Sequence, residues 1–256
     1  MPINKSLFFF IAFLLTACDQ HLKPHYILDD SPIYQYQGGD TLSYNVLDDS
    51  SSLERDTLKD YTLNFSDANL HPTEDIKTIQ ESFGSNSNFN PPFLSRHILY
   101  NDIGNMELAA ITTGGETFWL TENGILSGAV LYFAQIDNTP EQLNTRRILQ
   151  TCNEFDCENS GEITIIHGYR GVELAKTPYA DFDTHHISIA IQLTITPNNL
   201  SDISMVYDLS GSEWVYPPLG VVKHDYRVNN DNVLTFPLGH LSQTNINIPD
   251  TLIKPE

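Results

Sequence analysis

The chain has 256 residues, with 33 Asp and Glu against 13 Lys and Arg, a formal net charge of −20. That balance argues against nucleic acid as a partner, since phosphate binding needs a basic face, and a 40% hydrophobic content argues against disorder throughout. Charged residues are only 18% of the chain, where about 25% is usual, so uncharged groups, Asn and Thr among them, must build much of the polar surface.

The first element in chain order is apolar. Met1-Pro2-Ile3-Asn4-Lys5-Ser6 gives a charged start, residues 7 to 15 carry no charge, and Thr16-Ala17-Cys18 supplies small residues before Asp19. Eleven residues, 7 to 17, form this stretch. A membrane-spanning helix needs about 20, so the pattern reads as an export signal. The tetrad Leu15-Thr16-Ala17-Cys18 resembles the lipobox of bacterial lipoproteins. The resemblance implies that residues 1 to 17 are a signal peptide cut before Cys18. It also implies that the Cys18 thiol carries a diacylglycerol and that the new amine is acylated by a chain of the palmitate kind. Asp19 followed by Gln20 resembles the inner-membrane retention signal of enterobacterial lipoproteins. A periplasm-facing inner-membrane position is therefore expected ahead of an outer-membrane one.

Each buried CH₂ contributes about 0.8 kcal/mol, so two or three acyl chains anchor firmly where one does not. Residues 18 to 32 would form the lipidated end and a polar tether. Cleavage removes one Lys and no acid, leaving a net −21, which anionic headgroups repel. The acidity reads first as solubility and only second as binding of cations or a basic partner.

Beyond the tether, apolar and polar residues alternate, the mark of half-buried strands in an antiparallel sheet. The pattern holds at Leu42, Tyr44 and Val46, then at Tyr61, Leu63 and Phe65. Thr73 ahead of Glu74-Asp75, with Ile76, Ile79 and Phe83 on one face, predicts a helix of about ten residues. The run Gly84-Ser85-Asn86-Ser87-Asn88-Phe89-Asn90-Pro91-Pro92 reads as a linker or long surface loop. Strands are expected at residues 97 to 100, 106 to 112, 116 to 120 and 129 to 136. Thr139-Pro140-Glu141-Gln142 predicts a capping box that starts one helical turn ending at Asn144. Strands follow at residues 146 to 151 and 162 to 167, and most plainly at Ile187, Ile189, Ile191, Leu193 and Ile195. Further strands are expected at residues 203 to 209, 213 to 216, 221 to 228 and 233 to 236. Turn signals separate them at Gly38-Gly39-Asp40, Gly114-Gly115, Asn123-Gly124, Pro197-Asn198-Asn199 and Asn229-Asn230-Asp231.

One β-rich domain over residues 33 to 240 follows, with a polar tail at residues 241 to 256. Gly115-Glu116-Thr117-Phe118-Trp119 with Gly124-Ile125 is echoed by Gly211-Ser212-Glu213-Trp214-Val215-Tyr216 with Gly220-Val221-Val222. The second copy, with its Pro217-Pro218-Leu219-Gly220 turn and Lys223, resembles a hairpin of uncharacterised periplasmic proteins with curved antiparallel sheets. The resemblance implies an all-β, strongly curved sheet or open barrel with one short helix; a β-sandwich is the alternative.

Once Cys18 is lipidated, Cys152 and Cys157 remain, and in an oxidising compartment they are expected to pair. Metal binding or redox chemistry are lesser readings of the same two thiols. Asp181, Asp183 and His185 stand at alternate positions, where an extended backbone points all three to one face and could offer a divalent metal two carboxylates and an imidazole. The oxygen-rich runs at residues 48 to 52 and 229 to 232 are weaker candidates for calcium. Tyr34, Tyr36, Tyr44, Phe118, Trp119, Trp214 and Tyr216 read as core, or as the lining of an apolar pocket if the sheet opens. No common nucleophile, zinc-hydrolase or phosphate-loop motif occurs. The sequence thus points to a lipid-anchored, non-enzymatic envelope domain that binds a protein partner or a hydrophobic ligand. The alternative is a metal-dependent or triad hydrolase, and the nine His residues leave a pH response open.

Overall fold

The computed structural model describes residues 24–28, 30–48, 59–68, 70, 74–83, 95–113, 115–152, 157–196, 205–228 and 232–241. Among these residues the structure is β almost throughout. The strands in chain order are β1 (His25–Tyr26), β2 (Thr41–Asp48), β3 (Lys59–Ala68), β4 (Ile76–Phe83) and β5 (Ser95–Tyr100). Then come β6 (Met106–Thr113), β7 (Glu116–Glu122), β8 (Ile125–Leu126), β9 (Ala129–Tyr132) and β10 (Leu143–Cys152). The longest follow: β11 (Cys157–Lys176), β12 (Asp181–Ile195), β13 (Met205–Tyr216), β14 (Gly220–Val228) and β15 (Asn232–Leu241).

All fifteen strands belong to one sheet, ordered β8-β7-β10-β11-β12-β13-β14-β15-β2-β3-β4-β5-β6-β9, with β1 beside β12. Every pairing is antiparallel except β1 with β12. A further pairing of β6 with β7 brings the two ends of the path together, so the sheet curls almost into a barrel. Curling lets strands near opposite ends of the order share a core, and it leaves few edges exposed. Register breaks at Tyr169/Gly171 and Trp214/Val215 sit in the longest strands, where extra residues add the local bend that closure requires.

Alternation produces the interior. Ile187, Ile189, Ile191, Leu193 and Ile195 are all buried while their neighbours on β12 are less so, and Leu42, Tyr44, Ile98, Ile111 and Phe118 are fully enclosed. Each such side chain contributes about 1.5–3 kcal/mol on burial. Asn123 and Gly124, both at positive φ, make the two-residue turn between β7 and β8, for which Asn-Gly is the preferred chemistry. One end of the barrel is crossed by the segment before β2. There the Ile33 N–H donates to Ala134 O at 2.8 Å and the Tyr34 N–H to Pro217 O at 2.7 Å. Tyr36 stacks on Phe65 at 4.0 Å and donates its hydroxyl to Leu219 O at 2.9 Å.

Two helical expectations are overturned. Residues 76 to 83 form β4, between β3 and β5. Ile76, Lys77, Thr78 and Ile79 are buried in succession, which a strand enclosed on both faces allows and a surface helix does not. The apolar spacing at 76, 79 and 83 was compatible with either form, and pairing with two neighbours decided it. Lys77 is tolerated there because its ammonium reaches Asp67 at 2.7 Å and Asp75 at 2.9 Å. Thr139 does not start a helical turn. It ends the 3₁₀ turn Ile136–Asn138, and Asn144 lies in β10 opposite Ile166. The segments expected at 203 to 209 and 213 to 216 merge into β13.

Candidate functional site

The inner wall of β13 and β14 carries a buried polar cluster centred on a carboxylate. Glu213 continues the inward-facing alternation of β13 and is 2% exposed. Tyr132, on β9 across the interior, donates to its Oε2 at 2.5 Å, and the Tyr226 hydroxyl donates to its Oε1. His224 Nδ1 lies 2.7 Å from the Tyr226 hydroxyl and 3.3 Å from Glu213 Oε1. Tyr44 meets the His224 ring edge-on at 5.1 Å and donates to Val221 O at 2.8 Å.

Electrostatics follow from that enclosure. Burial pushes the Glu213 pKa up, but the His224 hydrogen bond and charge, then the two tyrosine hydroxyls, outweigh it and hold the carboxyl at about 2. Tyr132 and Tyr226 are driven well above their usual range, by burial first and by the Glu213 charge second, with Arg96 of β5 opposing. The group is therefore an ionised carboxylate held by neutral phenols that stay protonated. His167, 2% exposed on β11, has no hydrogen-bond partner for either ring nitrogen among the described residues. Burial lowers its pKa and the Glu213 charge works against that.

Because β9 and β13 are not neighbours in the sheet, the Tyr132–Glu213 bond ties opposite walls together across the interior. A carboxylate already holding such donors is a poor general base. The cavity beside it, lined by Ile33, Tyr36, Arg96, Tyr132 and His224, measures about 30 Å³. That is room for a water or two, against the ~300 Å³ or more of small-molecule pockets.

The residues singled out from sequence do not gather there. Asp183 Oδ1 is 2.9 Å from His25 Nε2, and the Tyr169 hydroxyl is 3.1 Å from His185 Nδ1. Burial lowers the His185 pKa, opposed by Asp137 and Asp30, while Asp181 is held through its backbone N–H to Pro24 O at 2.9 Å. Among the described residues no group of three or more His, Cys, Asp or Glu is placed to hold a metal ion. Cys152 and Cys157 are joined in a disulfide, opposite one another in register with Cα atoms 4.1 Å apart, tying the ends of β10 and β11. Cys18, Asp19 and Gln20 lie outside the described residues, as do the 84 to 92 run, residues 49 to 52 and residues 229 to 231. Tyr36, Tyr44, Phe118, Trp214 and Tyr216 are core as expected, Tyr36 from the segment crossing the barrel end, and Tyr34 packs against that core.

Sequence reading missed Glu213, Tyr132, His224 and Tyr226. The available signal was Glu213 itself, a charged residue on the inward phase of an alternating strand.

The fold is thus a nearly closed antiparallel barrel with an internally braced polar core. No family model and no curated protein matches the chain. Similar solved structures include a Bacteroides fragilis protein described as exported and as having a YmcC-like fold. It is 13% identical, with 83% of this chain and 99% of that chain covered and a TM-score of 0.38. Another, from Parabacteroides distasonis and described as a lipoprotein, is 12% identical, with 84% and 100% covered and a TM-score of 0.34. The hypothetical lipoprotein YmcC of Escherichia coli is 5% identical, with 78% and 84% covered and a TM-score of 0.32.

Proposed function

We propose that this chain is a lipid-anchored envelope protein of non-enzymatic type whose barrel binds a protein partner through its outer surface. The observation that carries the reading is the braced inner wall of β13 and β14. Among the described residues Glu213 is held by Tyr132 and Tyr226 with His224 beside it, and the adjoining cavity is about 30 Å³, which favours a protein partner over an enclosed hydrophobic ligand. The anchor rests on the lipobox-like Leu15-Thr16-Ala17-Cys18, and the inner-membrane position on Asp19. An oxidising compartment agrees with the paired Cys152 and Cys157.

Two measurements test the reading. In a labelled-palmitate experiment, the native chain should take up label and partition with the inner membrane, and Cys18→Ala should abolish both. In cells, photo-crosslinking from positions spread over the outer surface should give a discrete protein adduct; adducts from no position would overturn the partner reading.

A further inference from the structure

The outer face of β11 to β14 carries a trough that the interior does not explain. Two adjacent cross-strand rows form it. In one, Ser188 lies opposite Ser212 and Ser212 opposite Asp225; in the next, Ala190 lies opposite Ser210 and Ser210 opposite Arg227. The two central strands thus present only small side chains, while larger ones stand on the flanking strands, and a recess of about 510 Å³ results. Four strands at the usual ~4.8 Å spacing make it roughly 14 Å across.

Each wall carries a guanidinium, in a chain of net charge −20, and the Asp225 carboxylate lines the same trough on the Arg227 side. Arg170, projected by the β11 bulge, donates from Nε to Ser188 Oγ at 3.0 Å and is exposed. Arg227 is exposed on the opposite wall. Above the trough, Trp214 has the His186 ring stacked on it at 4.8 Å and the Lys223 ammonium 3.8 Å from its ring centre. The nearby acids are Asp225, 3.3 Å from Lys223, Glu173, bonded to Trp214 Nε1 at 3.1 Å and 3.0 Å from His186, and Asp208, exposed one row further along β13.

We infer that this trough is where the partner docks, and that the docked piece is an extended peptide segment bearing carboxylate side chains. The inference rests on the partner-binding reading above. Guanidinium groups on both walls match carboxylates through charge-assisted, paired hydrogen bonds. The floor hydroxyls of Ser210 and Ser212 add donors, Ser188 being engaged with Gly168 O and Arg170, and small floor residues admit a backbone close to the sheet. A bilayer fits less well, since its surface is flat where the trough is recessed and anionic headgroups meet the whole −20 charge at long range.

The test uses the full lipidated chain in neutral detergent with Trp119→Phe, leaving Trp214 as the only indole. A nonapeptide of alternating Ser and Glu should shift Trp214 emission and bind at least tenfold more tightly than its Ser/Lys counterpart. Arg170→Ala and Arg227→Ala should each weaken it about tenfold, the scale of a lost charged hydrogen bond. Asp208→Asn should tighten it, and Ala190→Phe, which fills the recess, keeps both arginines and adds no indole, should abolish it with the thermal midpoint unchanged. Equal binding of both peptides, indifference to the arginines, or a Trp214 shift only when phosphatidylglycerol is added to phosphatidylethanolamine vesicles would overturn the assignment. Photo-crosslinkers at Ala190, Ile103 and Ile125, the last two more than 70% exposed, separate the two failures. Adducts from Ile103 or Ile125 but not from Ala190 would move the docking site and keep the partner. Silence at all three would remove the partner as well.

Discussion

Strands β13 and β14 carry charge on both faces, and the two faces treat it in opposite ways. Inward, Glu213 is enclosed and bound by Tyr132 and Tyr226 with His224 beside it. Outward, one residue along on each strand, Ser212 and Asp225 border an open trough with Arg227 exposed at its wall. The same two-residue period therefore places one set of charges where loss of a partner is costly and the other where water compensates. Inward charge fixes the shape of the barrel, and outward charge is left available for another molecule.

The comparison breaks most visibly if the inward carboxylate is removed. Glu213→Ala strips the acceptor from two buried phenols and the carboxylate from beside the buried His224 ring. Removing one member of a buried charged network typically costs about 3–5 kcal/mol. Urea denaturation should show a loss of that size, and a loss below about 1 kcal/mol would mean the brace is incidental.

Acid provides the second test. The Glu213 carboxyl titrates at about 2 folded and near 4.5 unfolded. The unfolded chain therefore binds the extra proton between those values, and stability falls as pH drops through them, by about 3 kcal/mol from this group. His97, His167 and His185 are lowered from 6.5, each by burial first, so the same sign applies below pH 6.5 and the losses accumulate. Glu213→Gln should flatten the slope between pH 4.5 and 2, while the histidine part persists and deepens at His167, which loses the charge that opposed its shift.

How much of this could be read beforehand depends on which face is in question. Ile187 to Ile195 announced β12 because strict alternation has one structural meaning, and the antiparallel all-β class followed from repeating it, while the curvature was implied only by the resemblance of the hairpin around Trp214 to Lys223. The β4 segment was misread because Ile76, Ile79 and Phe83 fit a helix period as well as a strand, and only the neighbours β3 and β5 settle the matter. The Cys152–Cys157 pair was legible from parity and compartment. Tyr132 and Glu213 were not, since they are 81 residues apart and meet only because the sheet closes. Nor was the trough, which depends on the register that sets Ser188 against Ser212 and Ala190 against Ser210. By contrast, Asp181, Asp183 and His185 were legible as a row but not as to partners, and His25 and Tyr169 take two of them.

A smaller effect is expected where the segment before β2 seals the barrel end. Gly220 has φ +91°, and a Cβ there would collide with the Tyr36 hydroxyl. Gly220→Ala combines backbone strain with displacement of Tyr36, for about 2 kcal/mol. Hydrogen exchange should accelerate first at the Ile33, Tyr34 and Tyr36 amides, whose acceptors lie across that end, with Ile187 and Ile189 still protected. Uniform acceleration would show that the end seal and the barrel wall open as one unit.

The smallest effect belongs to the outward face and sharpens the comparison most. Arg170 and Arg227 stand in water, where a charge interacts weakly with its surroundings and salt screens it beyond about 8 Å. Both line a surface recess and are exposed. Arg170→Ala and Arg227→Ala should therefore each change unfolding free energy by no more than about 0.5 kcal/mol. They should also add independently, since the guanidiniums occupy opposite walls. Denaturation of both single variants and the double variant decides it. A loss near that of Glu213→Ala would make the trough walls part of the barrel's own support. Near-zero and additive values would leave the arginines with no structural task, which is the condition for a surface kept for binding.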